Sequence, residues 1–178
     1  MNTDNEIMLK IISGDIDKIG LLYEKYNKLL FGYFFKLTRS HELSEDLVND
    51  VFLKMLHAKD NYRGDGIFRV WMFRIAHTIF IDNYNKNKKW IPKEIFANKQ
   101  ENIEDPETMH EEKENKELVH KALLKLKKKE REVIVLSKLD GLKYKEVAEI
   151  LRCSEEAVKV RTFRALKNLK EVLLRIQN

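Results

Sequence analysis

A single cysteine, Cys153, stands in the whole chain. It excludes an intrachain disulfide and leaves no cysteine-based zinc site; the thiol is expected to be small and buried. Proline and glycine are scarce, two and six in 178 residues, too few for the many tight reversals of an all-β fold. No apolar run approaches the ~20 residues that cross a bilayer. The opening MNTDNEIMLK lacks the basic start and apolar stretch of a secretory signal. The chain is therefore expected to be soluble and cytoplasmic, with no stable membrane insertion.

What is abundant is charge. Charged residues make up 35% and apolar ones 43%, and the first figure exceeds the usual ~25%. Long stretches rich in Leu, Ile, Lys and Glu repeat at helical spacing, so the fold class is read as all-α. Net charge is +5 and the pI about 9.1, which suits an anionic partner. Nine acidic residues and only three lysines lie between Glu94 and Glu117, so the remainder is more basic than the total implies.

Two helix-rich blocks flank an irregular middle. The first holds a short helix over Asn5–Ser13, a long one over Ile16–Thr38, a third from Glu42 to Ala58 and a fourth over Ile67–Asn87, with NYRGDG at Asn61–Gly66 as a loop. In the long helix Leu21, Leu22, Tyr26, Leu29, Leu30 and Tyr33 recur at helical spacing. Both prolines fall in the acidic middle, Pro92–Lys116, read as a flexible linker. The second block opens near Glu117 with two helices, the second ended by Asp140-Gly141. Two small helical domains follow, 1–91 and 117–178, joined by the linker 92–116.

The stretch from Tyr144 to Lys170 reads as a helix-turn-helix. Val147, Ala148, Ile150 and Leu151 make the apolar side of its first helix, and Arg152-Cys153-Ser154 the turn. Ser154 suits an N-cap, and Glu155 and Glu156 suit the positive helix N-terminus. Val158, Thr162, Ala165 and Leu169 fall on one stripe and should face inward. Lys159, Val160, Phe163, Arg164, Lys167 and Lys170 fall opposite, with Arg161 on the flank. An outer face mixing cations with Val and Phe matches major-groove reading, which needs groups for phosphates, guanine edges and thymine methyls. A helical hairpin with a solvated face has the same spacing.

The fourth helix interleaves Phe68, Trp71, Phe73, Phe80 and Tyr84 with Arg69, Arg74, His77, Lys86, Lys88 and Lys89. Stacking rings beside cations suit single-stranded nucleic acid, although aromatics in a helix more often serve a core; Trp71 and Ile75 are expected to face inward. SEDLVNDVFLKML, then YRGDGIFRVWMFRIAHT, then an acidic spacer, then LDGLKYKEVAEILRCSEEAVKVRTFRALKNLK, in that order, resemble the sigma-70 family. The short two-part layout is similar to its extracytoplasmic-function (ECF) sigma factors.

The resemblance implies a transcription initiation factor with no enzymatic activity and no cofactor. Its partners would be core RNA polymerase, through the β′ and β subunits, promoter DNA and an anti-sigma factor. Core-polymerase binding would map to Asp46, Asn49, Asp50 and Leu53, which share one helix face by spacing. Minus-ten recognition, as single-stranded DNA with a flipped base, would map to Arg63, Arg69, Trp71, Arg74, His77 and Thr78. Many relatives carry Asn where Thr78 stands, and one hydroxyl offers fewer hydrogen bonds than an amide. Minus-thirty-five recognition in duplex form would map to Lys159, Val160, Arg161, Phe163, Arg164 and Lys167, with Val160 where Ser is common.

Two other classes fit parts of the chain. A stand-alone helix-turn-helix regulator would leave the first block unexplained. A nuclease or recombinase would need a metal site, for which Asp46, Asp50 and Asp82 could be imagined. Two of these fall in the polymerase-binding motif, and the histidines show no zinc-type pairing.

Overall fold

The computed structural model describes residues 3–87 and 110–177, and every regular element among them is helical. In the N-terminal half α1 spans Asp4–Ile12, α2 Ile19–Thr38, α3 His41–His57 and α4 Phe68–Asn87, with short 3-10 turns at Ile16–Lys18 and Lys59–Asn61. In the C-terminal half α5 spans His110–Lys125, α6 Lys128–Ile134, α7 Tyr144–Leu151 and α8 Glu155–Gln177. A π-helical segment, Val135–Leu139, continues α6.

The helix ends follow local chemistry. Thr3 caps α1: its hydroxyl accepts from the Glu6 N–H at 3.3 Å, and its own N–H donates to the Glu6 carboxylate at 2.8 Å. Ser40 caps α3 by accepting from the Leu43 N–H at 3.3 Å. Arg39 closes α2 in the left-handed conformation, with φ 58°. Asp140 ends the π-helical segment, its N–H donating to the Val135 carbonyl at 2.8 Å.

Apolar periodicity sets the packing of the N-terminal half. Leu22, Leu30, Tyr33 and Phe34 of α2 meet Leu47, Val51 and Met55 of α3 and Met72, Phe73 and Ala76 of α4, all essentially without solvent exposure. Leu21, from the same periodic set, is exposed instead. It lies one residue off the stripe that faces α3 and α4, about 100° round the helix. Asp4 ties α1 down by accepting from Lys25 Nζ and from the Tyr26 hydroxyl, each at 2.6 Å.

The expected flexible linker lies largely outside the described residues, which resume at His110. The second block begins earlier than near Glu117, because α5 is already helical from His110. The two halves pack together. Their apolar residues form one continuous cluster running from Ile7 through Tyr33 and Phe73 to Val133, Leu142 and Ala165.

Polar contacts cross the same boundary. The Arg131 guanidinium donates to the carbonyls of Leu123 at 2.9 Å, Leu124 at 2.6 Å and Leu126 at 3.3 Å, capping the C-terminal end of α5. It also reaches the Leu37 carbonyl, at the C-terminal end of α2, at 2.7 Å. Burial pushes the Arg131 pKa down from its ordinary value, and these acceptors keep the cation solvated by protein. Replacing Arg131 with Met should therefore destabilise the chain by about 3 kcal/mol, since partly buried carbonyls lose their donor. Urea unfolding followed by circular dichroism measures this, and an unchanged midpoint would contradict it.

His120 of α5 lies edge-on to Phe35 of α2, with ring centroids 6.5 Å apart. Burial lowers its pKa first, and nearby Arg39 and Lys36 lower it further while Glu117 opposes them. The folded chain thus prefers neutral His120. The resulting stability is fully present above the ordinary imidazole value of about 6.5 and is lost as pH falls through the lowered one. Thermal unfolding across pH 7 to 5 should show a decline that is shallower in His120→Gln; superimposable profiles would contradict this.

Candidate nucleic-acid interface

Three surfaces carry the residues singled out in the sequence. On α3, Asp46, Asn49, Asp50 and Leu53 all face solvent, with Leu53 55% exposed. Leu47, Val51 and Met55 on the opposite side are 1% exposed or less. The 3.6-residue period alone divides this helix into a buried wall and an acidic stripe with one open leucine.

On α7 and α8 the helix-turn-helix forms as the spacing requires. Val147, Ala148 and Ile150 are buried, and Leu151 is half-buried. Arg152 takes the left-handed conformation, φ 50°, which turns the chain out of α7. The Ser154 hydroxyl accepts from the Ala157 N–H at 3.1 Å and caps α8. Val158, Thr162 and Ala165 are buried beneath α8, with Leu169 packed against the same core. Lys159, Val160, Arg161, Phe163, Arg164 and Lys167 all point to solvent. Phe163 is 74% and Val160 48% exposed. A ring so exposed among four cations contributes nothing to the core and is available to a partner. Cys153 is half-buried, not the fully buried thiol expected; it lies in the turn, with Arg161 Nη1 3.6 Å from its sulfur.

The α4 set divides in two. Arg63, Trp71 and Arg74 line one recess of about 340 Å³ together with Tyr62, Ile67 and Glu149. Trp71 stands edge-on to Tyr62 at 4.8 Å between ring centroids. It is half-buried, as is Ile75, so neither faces fully inward. The Asn5 side-chain amide holds the loop beneath this recess, donating to the carbonyls of Gly64 at 3.3 Å and Gly66 at 3.2 Å. Thr78 is exposed, and its hydroxyl donates back to the Arg74 carbonyl at 3.0 Å.

Arg69 and His77 point elsewhere, into the boundary between the halves. Arg69 Nη2 donates to the Asp140 carbonyl at 2.6 Å, and the guanidinium lies over the Phe73 ring at 5.6 Å. His77 Nδ1 lies 2.5 Å from Glu132 Oε1, which also accepts from the Tyr33 hydroxyl at 3.0 Å. The Asp140 carboxylate accepts from Lys36 Nζ at 2.5 Å. Burial raises the Asp140 pKa, while Lys36 and Arg69 oppose that rise. Burial and Glu132 together hold the Tyr33 phenol protonated, its pKa well above the ordinary value.

Glu132 and Arg131 escaped the sequence reading, and Asp140 was read only as the end of a helix. A signal for Glu132 was present: it shares a helical stripe with Val135 and Leu136, both buried. A carboxylate on a buried stripe needs a partner. Nothing local names that partner as Tyr33 or His77.

Comparison with known proteins places both halves. Residues 22–90 match the family model "Sigma-70 region 2", and residues 116–169 match "Sigma-70, region 4". The chain is 34% identical to RNA polymerase sigma factor YlaC of Bacillus subtilis, covering 87% of this chain and 91% of that one. It is 29% identical to the ECF RNA polymerase sigma-E factor of Escherichia coli K12, covering 92% and 90%. Its fold is similar to that of CnrH in a complex with the cytosolic domain of CnrY, with TM-score 0.74, 26% identity and 97% of each chain covered.

The division of α8 into two faces can be tested directly. Phe163→Ala should leave stability within about 0.5 kcal/mol of the parent. Ala165→Leu, two residues away at a fully buried position, should cost about 1–3 kcal/mol by overpacking. Equal effects in chemical denaturation would mean that the faces are misassigned.

Proposed function

The chain belongs to the sigma-70 family of RNA polymerase sigma factors, in its ECF group, and we propose that it directs core polymerase to two-part promoters. In this reading residues 1–91 bind core polymerase and open the minus-ten element, residues 117–178 read the minus-thirty-five element, and 92–116 connect them. The α3 stripe of Asp46, Asn49, Asp50 and Leu53 docks on polymerase. The recess of Arg63, Trp71 and Arg74, with Thr78 near it on α4, receives an unpaired base, and Arg69 and His77 join when the halves separate. Lys159, Val160, Arg161, Phe163, Arg164 and Lys167 enter the major groove of the duplex.

The observation that carries the reading is the solvent-facing α8 surface, where Phe163 and Val160 stand exposed among Lys159, Arg161, Arg164 and Lys167. Cations there meet phosphates and guanine edges, while the apolar pair suits thymine methyls. Nucleotidyl transfer belongs to the polymerase, and the chain supplies recognition alone. Its likeness to CnrH, solved in complex with the cytosolic domain of CnrY, supports a protein partner, which we infer to be an anti-sigma factor.

Transcription by core polymerase from randomised promoters tests this reading. Initiation that depends on the chain and converges on a two-part sequence is expected. Selection of duplex DNA by the chain alone, with no initiation, would overturn the reading in favour of a stand-alone regulator. Asp50→Lys should weaken core binding about tenfold, or about 1.4 kcal/mol. Arg164→Ala should lose about 1–3 kcal/mol of discrimination at one minus-thirty-five position. Equal loss on all sequences would make Arg164 a phosphate contact.

A further inference from the structure

We propose that Asn5 of α1 is a positioning residue for base selection, holding the loop of residues 62–66 in the shape that forms one wall of the α4 recess. The inference rests on the reading of that recess as the seat of an unpaired base. Asn5 lies outside the recess lining and acts through the residues it holds.

An asparagine amide has two N–H donors and one carbonyl acceptor, and here all three are directed to the loop. Nδ2 donates to the Gly64 carbonyl at 3.3 Å and to the Gly66 carbonyl at 3.2 Å, while Oδ1 accepts from the Tyr62 hydroxyl. These anchor points alternate along the chain with Arg63 and Asp65, whose side chains line the recess. Fixing the backbone on both sides of a residue fixes the direction in which its side chain leaves. Tyr62 lines the recess too, and its ring stands edge-on to Trp71 at 4.8 Å and to Phe68 at 6.1 Å. One amide therefore sets three side chains of the wall and, through Tyr62, supports Trp71.

The helix that carries Asn5 is a firm anchor. Ile7, Met8 and Ile11 bury its inner side in the core, and Asp4 accepts from Lys25 and Tyr26 of α2. Asn5 and Leu9, one turn apart, share the side toward the loop. Leu9 lies beside Gly64, which takes a left-handed φ of 72°. The loop, with glycine at two of its five positions, has little of its own to hold one conformation. Burial, then Asp4 and Asp65, push the Tyr62 pKa up, so its hydroxyl stays a donor to Asn5. Docking of α1 is already served by its apolar side. The amide adds order in the loop, where choosing between bases needs groups held to within about 0.5 Å.

Asn5→Ala in the full chain tests the proposal. With core polymerase, one promoter library is randomised at the minus-ten element alone and a second at the minus-thirty-five element alone. Discrimination at a minus-ten position should fall about tenfold, while minus-thirty-five preference and core affinity stay as in the parent. A purely structural role would instead lower initiation on all promoters alike and leave the minus-ten preference intact, and that result overturns the proposal. Fluorescence of Trp71 in a Trp90→Phe background reports the wall without polymerase. Asn5→Ala should raise its quenching by acrylamide, and unchanged quenching overturns the proposal as well. Should Asn5→Ala fold poorly, Tyr62→Phe keeps the ring and removes only the hydroxyl that Asn5 holds. It should shift the minus-ten preference in the same direction, and an unmoved preference counts against the proposal equally.

Initiation by the parent chain separates the two levels. If the parent initiates and the variants keep its minus-ten preference, only the role of Asn5 fails. If the parent does not initiate on either library, the promoter reading fails and the proposal falls with it.

Discussion

The Arg131 guanidinium is the contact on which the arrangement of the two halves depends. It donates to three carbonyls at the end of α5 and to the Leu37 carbonyl at the end of α2. A helix terminus leaves its last carbonyls without intrahelical partners, and burying them unpaired is costly. One planar cation with five donors serves both termini, which no lysine could do in that geometry. By holding α2 against α5 it also positions α6, the helix that carries it. Glu132, the next residue, is thereby delivered to Tyr33 and His77.

From that anchor the molecule presents two kinds of surface. Open ones lie on α3 and α8, where helical periodicity alone separates core from solvent. The closed one lies on α4, whose residues serve three neighbours: the N-terminal core through Met72, Phe73 and Ala76, the recess through Trp71 and Arg74, and the boundary through Arg69 and His77. A helix serving three neighbours has no clean amphipathic stripe. Its function is correspondingly harder to read from periodicity.

That difference explains what was legible in the sequence. The all-α class, the helix-turn-helix with its Ser154 cap, and the two faces of α3 all followed from spacing and capping, which are local properties. The end of α2 was read at Thr38, although Arg39 closes it in a conformation usually given to glycine; the start of α5 was less legible, since it begins at His110 within a stretch whose acidic composition resembles a linker. The partners of Glu132, Asp140 and Arg131 could not be read at all. Those of Glu132 and Asp140, and Leu37 among those of Arg131, lie across the boundary between halves, dozens of residues distant in sequence, and buried polar pairs leave no periodic trace. Trp71 shows the intermediate case: its spacing suggested the core, while packing on Tyr62 leaves it half-exposed at the recess rim.

The central claim is that one chain exchanges contacts between its halves for contacts with polymerase and promoter. A structure of the chain bound to core polymerase and an opened promoter tests it most directly. The account predicts that His77 and Arg69 have left Glu132 and Asp140 and face the unpaired strand, with α3 seated on polymerase and α8 in the duplex major groove. Halves still packed through Glu132 and Asp140 in that complex would contradict it.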